Sequence, residues 1–217
     1  MVFRGWPTEA VEFYEGLQAD NTKTYWMRHK DVYDASVYAP MADLLAELAD
    51  EFGAGHIFRP YRDVRFRADK SPYKTAIYAT LEGGGYVGFK ADGLTAGTGY
   101  FRMAPDQLAR FRHAVDDDAQ GADLTGIIGR LTAKHLEIGA AETLKSAPRG
   151  YPKDHQRVEL LRYKGLIAYR HWPTAPWLGT VAAKRRVVEF LRTATPLQAW
   201  LNGRVGPSLT ATTERDG

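Results

Sequence analysis

The chain has 217 residues, which at roughly 150 residues per domain predicts one domain and not two full-sized ones. Its content of 44% hydrophobic, 12% aromatic and 25% charged residues excludes disordered, collagen-like and coiled-coil proteins. Because it has no cysteine, disulfides, thiolate nucleophiles and Cys-ligated metal centres are excluded as well. No segment approaches the roughly 20 apolar residues of a membrane span, and residues 1–10 lack a signal-peptide pattern, so we expect a cytoplasmic protein with no membrane association.

The first quarter of the chain is predicted to be helical. Apolar side chains recur at positions i, i+3, i+4 and i+7, which predicts a first helix over residues 8–19. Helical spacing continues over residues 25–33 and, after an interruption at Pro40, as far as Phe52. Gly53 is expected to end this helical region.

The middle of the chain is predicted to form a sheet. Alternation with period two predicts a strand over residues 57–67, with one mostly apolar face and one charged face. After a turn at residues 68–73, three more strands are predicted in the segments TAIYATL, YVGFKA and LTAGTGYFRM. Their connections are too short for crossover helices, which predicts an antiparallel meander.

The last half mixes helices with one more strand. The predicted elements are a helix from Pro105, a short helix over 124–131, a helix capped by Asp154, a strand over 166–171, a helix from Thr180 to Leu191 and a last turn over 196–201. The aspartates at 116–118 are expected to lie in a loop, because acidic side chains oppose the dipole at a helix C-terminus.

This order of elements predicts an α+β fold with N-terminal helices, a central, mainly antiparallel sheet and C-terminal helices. We expect a single domain over residues 1–207 and a loose tail over 208–217.

The positive charge of the chain is concentrated in one short segment. The net charge is only +3, but Arg59 to Lys74 contains six basic and two acidic residues, which leaves 23 basic and 24 acidic residues elsewhere. Period two also places Arg62 on the apolar face of its strand, where an unpaired guanidinium would carry a large penalty. Arg62 therefore needs a carboxylate partner, or that face opens into a pocket for an anion.

Familiar catalytic and metal-binding motifs are absent or out of context. The glycines of Gly83–Gly88 match a dinucleotide fingerprint, but a strand follows them where a helix is required, which favours a hairpin turn. The six histidines show no i, i+4 pair and no H-E-x-x-H motif, so no metal site is predicted. No cofactor is predicted either.

Several motifs together resemble the family called domain of unknown function 2461. They are Phe3-x-Gly5-Trp6-Pro7, Asn21 with Trp26 and His29, the block from Arg62 to Thr75, Gly84-Gly85-Tyr86, and Gly150 to His155 followed by Glu159-Leu160-Leu161. The resemblance covers about residues 3–202 and its central block is highly specific. Trp6 and Gln156 are atypical, the family usually having phenylalanine and often proline there. The resemblance implies family membership and overall architecture, but no activity.

The leading hypothesis is that the protein binds a small anionic or phosphorylated ligand in a cleft lined by the Arg62–Lys74 segment. If the protein is an enzyme, this ligand is its substrate. The candidate residues are Arg62, Arg65, Lys70 and Lys74 as charge clamps, Tyr73 as hydrogen-bond donor, Asp63 as orienting or base residue, and Asp154 or His155 as a further acid or base. One alternative is a nucleic-acid accessory module in which Tyr61, Tyr73 and Tyr78 stack on bases. Nucleic acid is the less favoured partner. The other is a structural protein whose charged block is an internal ion-pair network. The oligomeric state stays open.

Overall fold

A computed structural model describes residues 2–65 and 68–209 of the chain. Its α-helices are α1 (Thr8–Ala19), α2 (Lys23–Val32), α3 (Ala39–Phe52), α4 (Pro105–Asp116), α5 (Asp118–Ala133), α6 (Val158–Arg162) and α7 (Ala182–Arg204). Its strands are β1 (Gly55–Ile57), β2 (Ala76–Leu81), β3 (Gly85–Lys90), β4 (Gly93–Tyr100), β5 (Glu137–Gly139) and β6 (Leu166–Pro173). A π-helical turn (Tyr33–Tyr38) joins α2 to α3, and a 3₁₀ turn (Pro176–Gly179) precedes α7.

The predicted α+β fold class is confirmed. N-terminal helices are followed by a six-stranded antiparallel sheet in the order β1-β2-β3-β4-β6-β5 and by a C-terminal helix. The predicted meander corresponds to β2, β3 and β4, which are neighbours in the sheet. Thr80 pairs with Tyr86 next to the hairpin turn that the three glycines were predicted to form.

The predicted strand over residues 57–67 is wrong. Of its described residues, only Ile57 belongs to a strand, and residues 58–65 and 68–75 form none apart from one bridge between Tyr61 and Tyr73. Phe66 and Arg67, which the prediction assigned to opposite faces, lie outside the described residues. Period-two alternation alone does not distinguish a strand from a loop that pairs its polar groups within itself.

The described chain divides into two compact units. The first contains His171–Phe190 and the described part of Met1–Ala96, and the second contains Gly97–Arg170 and the described part of Leu191–Glu214. The single domain expected over 1–207 stays a prediction. Of the expected tail, Ser208 and Leu209 hydrogen-bond to Asp106, and residues 210–217 lie outside the described residues.

The helices of the first unit follow directly from their sequence. The apolar stripe predicted for α1, namely Ala10, Phe13, Tyr14 and Leu17, is fully buried. Thr22 caps α2 by accepting a hydrogen bond from the Tyr25 amide. The backbone widens into the π-helical turn just before Pro40, where the Ala39 amide donates to the Asp34 carbonyl five residues earlier.

The second unit corrects three predictions. The loop predicted for the aspartates at 116–118 is wrong for two of them, since Asp116 ends α4 and Asp118 begins α5, while Asp117 caps α5 by accepting from the Gln120 amide at 2.8 Å. The helix predicted over 124–131 is therefore longer, spanning Asp118–Ala133. Asp154 does not cap α6, whose N-terminus has no side-chain cap.

The last helix and the hydropathy of the helices complete the description. The two helical pieces predicted after Thr180 are one helix, α7, which accommodates Pro196 in its interior. Across residues 2–65 and 68–209, none of the helices combines the length and the apolar content that a bilayer crossing requires.

Candidate functional site

A cleft of about 500 Å³ opens in the first unit beside the predicted basic segment. It is lined by Trp26, Lys30, Tyr33, Asp34, Tyr38, His56, Ile57, Phe58, Arg59, Pro60, Tyr61 and Lys74. Half of these residues carry an aromatic ring, three are basic and one is acidic. The cleft therefore combines apolar walls with an excess of positive charge.

Helix α2 and the π-helical turn supply one wall of the cleft. Trp26, Lys30 and Tyr33 follow each other at i, i+4 and i+7, so they share one helical face. The π-helical turn then carries Asp34 and Tyr38 to the same cleft. Extra-wide helical turns of this kind are frequent at functional sites.

The rings of this wall are held in fixed positions. Trp26 is buried and stacks on Tyr73, with ring centroids 4.3 Å apart and planes 7° from parallel. Tyr33 is also buried, with its ring centroid 4.8 Å from that of Trp26, and burial raises the pKa of Tyr33 above its usual value. Tyr38 and Tyr61, by contrast, remain 45% and 51% exposed and offer ring surface to a ligand.

The opposite wall is anchored by the backbone. The Lys74 amide donates to the Pro60 carbonyl at 2.7 Å, and the Arg62 amide donates to the Pro72 carbonyl at 2.9 Å. Together with the bridge between Tyr61 and Tyr73, these bonds close the chain between them into a loop. We call residues 62–72 the basic loop. Its closure holds Lys74 next to Arg59 and Tyr61 at the cleft.

Three of the four predicted charge clamps are matched within the basic loop. Arg62 pairs with Asp69 at 2.6 Å, which supplies the carboxylate partner that its burial requires. Arg65 forms two hydrogen bonds to Asp63 through Nε and one, at 2.6 Å, through Nη2. Lys70 donates to the Val64 carbonyl at 3.0 Å. None of the three lines the cleft of the first unit.

The loop carboxylates are strongly stabilised in their charged form. Hydrogen bonds from Arg65, with a weaker effect of Arg59, lower the pKa of Asp63 to about 2. Hydrogen bonds from Ser71, followed by Arg62, lower the pKa of Asp69 further below its usual range. A carboxylate with so low a pKa is a weak base at neutral pH.

Lys74 differs from the other predicted clamps. Its side chain is half-buried at the cleft, and its Nζ lies 5.7 Å from the centre of the Phe58 ring. Burial, and then the positive charge of Arg59, lower the pKa of Lys74 below its usual value. Within residues 2–65 and 68–209, neither Lys74 nor Arg59 forms an ion pair or a side-chain hydrogen bond.

The remaining ion pair and the histidine of the cleft are arranged differently. Lys30 forms an ion pair with Asp34 one helical turn later, so this pair adds no net charge to the cleft. His56 is exposed on β1 and its ring meets the Phe58 ring edge-on, with centroids 5.5 Å apart. Among the described residues, the cations of the cleft that form no ion pair are therefore Arg59 and Lys74.

Tyr73 lies behind the cleft wall instead of inside the cleft. It is 5% exposed, and its backbone exchanges two hydrogen bonds with the side chain of Asn21. Burial raises the pKa of the Tyr73 hydroxyl. Its ring supports Trp26, so Tyr73 acts here as a structural residue.

Asp154 and His155 belong to the second unit. The His155 Nε2 lies 3.2 Å from Asp116, and its Nδ1 accepts a hydrogen bond from the Arg157 amide at 3.0 Å. Asp154 is exposed in a turn. Both ring nitrogens of His155 therefore have partners within the second unit. Within the part of the chain that the structure describes, no three His, Asp or Glu side chains form a group that could hold a metal ion.

Sequence reasoning missed most of the cleft. Arg59 was counted in the basic segment but not named as a site residue, His56 was considered only as a metal ligand, and Lys30, Asp34 and Tyr38 were not predicted. One signal was available, since Trp26, Lys30 and Tyr33 share a helical face. The π-helical turn that adds Asp34 and Tyr38 to this face shifts the helical phase, and no periodicity reveals such a shift.

Comparisons with known proteins place the chain in a family without assigning an activity. The sequence pattern of the family described as conserved hypothetical protein (DUF2461) matches residues 9–200. A search of curated proteins gives no match. Among solved structures, a conserved hypothetical protein from Pyrococcus furiosus is 14% identical, with 73% of this chain and 90% of that chain covered and a TM-score of 0.36. Since the family pattern spans most of its length, the chain belongs to the conserved hypothetical protein family DUF2461.

Proposed function

We propose that the chain binds a small anionic ligand with a planar or aromatic body in the cleft lined by Trp26, Tyr61 and Lys74. The observation that carries this proposal is the pair of adjacent cations, Arg59 and Lys74, which have no carboxylate partner within the described residues. The predicted ligand class is retained, but its binding site shifts from the basic loop to the edge of that loop.

The electrostatics of the cleft support an anionic ligand. Burial, and then the adjacent positive charge of Arg59, lower the pKa of Lys74, so the charged amine is destabilised at this partly buried site and the repulsion between the two cations contributes to it. An anion between them would remove this repulsion and gain hydrogen bonds from the guanidinium fork and the ammonium group. Phosphate and carboxylate both suit these donors.

The walls of the cleft support a ring in the ligand. Tyr38 and Tyr61 keep about half of their surface exposed next to a rigid stack of Trp26 on Tyr73. Aromatic rings at such a surface favour offset or edge-to-face contacts with another ring. A volume of about 500 Å³ also lies within the usual range for small-molecule sites, roughly 300–1,000 Å³.

A thermal-shift experiment with three probes tests the proposal. Phenyl phosphate combines a ring and an anion, whereas inorganic phosphate and phenol each supply only one of them. We expect the largest shift with phenyl phosphate, because it alone contacts both the cations and the aromatic walls. A ligand at 100 times its dissociation constant adds about 2.7 kcal/mol of stability, which such an experiment detects. Lys74→Ala should remove the shift, and Arg65→Ala, a change of equal charge outside the cleft, should leave it. No shift in wild type at millimolar phenyl phosphate would contradict the proposal.

The basic loop itself has a second candidate role, which is structural. Its ion pairs from Arg62 to Asp69 and from Arg65 to Asp63 support the idea that these charges maintain the loop conformation. The two roles are compatible, because the same ion pairs would help to hold Lys74 at the cleft. Truncation of Arg62 should then lower the melting temperature. It should lower the affinity for the ligand only indirectly, through the position of Lys74.

The nucleic-acid alternative has fewer supporting contacts. Tyr73 is buried, which leaves Tyr61 and Tyr78 as exposed rings for base stacking. Binding of single-stranded oligonucleotides that strengthens steeply as salt is lowered would favour this alternative. Whether a bound ligand is turned over and whether the protein acts in the cytoplasm stay predictions.

A further inference from the structure

We propose that the amine of Lys74 forms a Schiff base with an aldehyde or ketone group of the ligand, so that this protein binds carbonyl-bearing anions covalently and reversibly. The inference rests on the proposed function, because it uses the same cleft. It adds a bond-forming role that simple charge recognition does not need.

The first reason is the position of the Lys74 amine. Its Nζ reaches the cleft, lies 5.7 Å from the Phe58 ring centre and has no carboxylate partner within the described chain. A lysine that only attracts an anion through its charge can act from a fully hydrated position and does not need to be partly buried. An amine that must attack a carbonyl carbon has to be accessible, partly desolvated and without a carboxylate that holds its proton.

The second reason is the neighbouring cation. A positive group next to a lysine favours the neutral amine, and this arrangement activates Schiff-base lysines. Arg59 is that neighbour here, since the partial burial of Lys74 and then the charge of Arg59 lower the pKa of the amine. Arg59 also remains positive at any physiological pH, so it can hold the anionic group of the ligand while Lys74 reacts.

A third reason comes from the other lysines of the region. Lys30 forms an ion pair with Asp34, and Lys70 donates to the Val64 carbonyl. The ion pair with Asp34 raises the pKa of Lys30, which disfavours its neutral form. Of the two lysines that line the cleft, Lys74 is the one with a lowered pKa.

The reaction balances without any further reagent. The neutral amine adds to the carbonyl carbon to form a carbinolamine, and the carbonyl oxygen then leaves as water together with the two hydrogens of the amine. A carbon–nitrogen double bond replaces the carbon–oxygen double bond, and no group is oxidised or reduced. The bond hydrolyses by the reverse path, so the adduct persists only while the ligand occupies the cleft.

Reductive trapping tests the inference. The full chain is incubated with 4-formylbenzoate, a planar aldehyde with a carboxylate, and cyanoborohydride is added to deliver hydride to the imine carbon and fix the adduct as a secondary amine. Peptide mapping then compares adduct levels at Lys74, Lys30 and Lys70. We expect severalfold more adduct at Lys74, and less adduct there with benzaldehyde, which lacks the carboxylate.

Binding of phenyl phosphate by the wild type separates this inference from the proposed function. The variant Lys74→Arg keeps the positive charge but loses the nucleophilic amine, so it should show no adduct at position 74 and no gain elsewhere in the cleft. Lys70→Arg is the matched control and should leave the adduct at Lys74 unchanged. If wild type binds phenyl phosphate but Lys74 is modified no more than Lys70, the Schiff-base inference is wrong and the anion site stands. If phenyl phosphate does not bind at all, the proposed function has failed and the inference fails with it.

Discussion

The side chain of Asn21 holds the backbone of Tyr73 through two reciprocal hydrogen bonds. Its Oδ1 accepts from the Tyr73 amide at 3.1 Å, and its Nδ2 donates to the Tyr73 carbonyl at 3.0 Å. The two residues are 52 positions apart, so this contact fastens the end of the basic loop to the start of α2. Lys74 follows Tyr73 directly, and its position at the cleft therefore depends on Asn21.

Loss of this contact should cost stability. In Asn21→Ala, the buried amide and carbonyl of Tyr73 lose their partners, and an unsatisfied buried polar group costs about 1–3 kcal/mol. Urea unfolding should show this decrease in the free energy of unfolding. Asn21→Asp keeps the acceptor but places a second acceptor against the Tyr73 carbonyl, so it should also lower the free energy of unfolding. Equal stability of Asn21→Ala and wild type would mean that the loop end is held by other contacts.

The stack of Trp26 on Tyr73 should appear as an energetic coupling. Stacked aromatic pairs contribute about 0.5–1.5 kcal/mol beyond their burial. A double-mutant cycle with Trp26→Leu and Tyr73→Leu should give a coupling energy of this size, because the ring centroids are 4.3 Å apart. A cycle with Trp26→Leu and Phe111→Leu, a buried aromatic residue of the second unit, is the control and should show additive effects.

Lys74 and Arg62 should respond oppositely to the loss of charge. Burial and Arg59 lower the pKa of Lys74, so its charged form is less favourable in the folded protein than in the unfolded chain. Lys74→Met should therefore raise the melting temperature or leave it unchanged, as expected where function opposes stability. Arg62→Met deprives Asp69 of its ion-pair partner and should lower the melting temperature. A comparable decrease for both variants would show that Lys74 is structural.

The Asp63 pair should give a stability term that depends on pH. Arg65 lowers the pKa of Asp63 from 3.8 to about 2, so in this window the unfolded chain binds more protons than the folded protein. The stabilisation is therefore complete above about pH 4 to 5 and is lost as the pH falls towards about 2. The difference in unfolding free energy between wild type and Asp63→Asn, measured by urea titration at each pH, should shrink over that window. A difference that is constant from pH 6 to pH 2 would disprove the coupling.

The structure explains why the motif Phe3-x-Gly5-Trp6-Pro7 contains a glycine at position 5. Its φ angle is +105°, and a Cβ atom there would lie 2.2 Å from the Thr180 amide nitrogen. Gly5→Ala should therefore destabilise the protein by at least about 1–3 kcal/mol through steric overlap, and backbone strain adds to this. Circular-dichroism melting measures the loss. Gly203→Ala is the matched control and should be tolerated, because a Cβ atom added there would meet no atom within 4 Å outside the nearby backbone of its own helix.

The sequence predicts the elements better than the cleft. Helix α1 was predicted with correct bounds because Phe13, Tyr14 and Leu17 repeat with the helical period, a pattern that the single Gly16 does not break. The meander was predicted because its strands alternate and its turns are rich in glycine. Such local signals need no knowledge of tertiary contacts.

The errors arose where tertiary contacts override local patterns. Alternation after Ile57 resembles a strand, but the backbone bonds from Lys74 to Pro60 and from Arg62 to Pro72 close this stretch as a loop. The charge concentration correctly drew attention to the region, whereas the assignment of individual cations depended on which of them find a carboxylate. Arg62 forms an ion pair with Asp69, whereas Arg59 forms none with the described residues, and the spacing of the two arginines in the sequence does not reveal this difference.

Calorimetric titration of phenyl phosphate into two matched double variants tests the central claim most directly. Arg59→Ala with Lys74→Ala and Arg62→Ala with Arg65→Ala each remove two positive charges from the same segment, but only the first pair lines the cleft. We predict that binding is lost in the first variant and retained, with at most a modest decrease in affinity, in the second. Equal affinity in both variants, or loss of binding only in the second, would contradict the assignment of the anion site to Arg59 and Lys74.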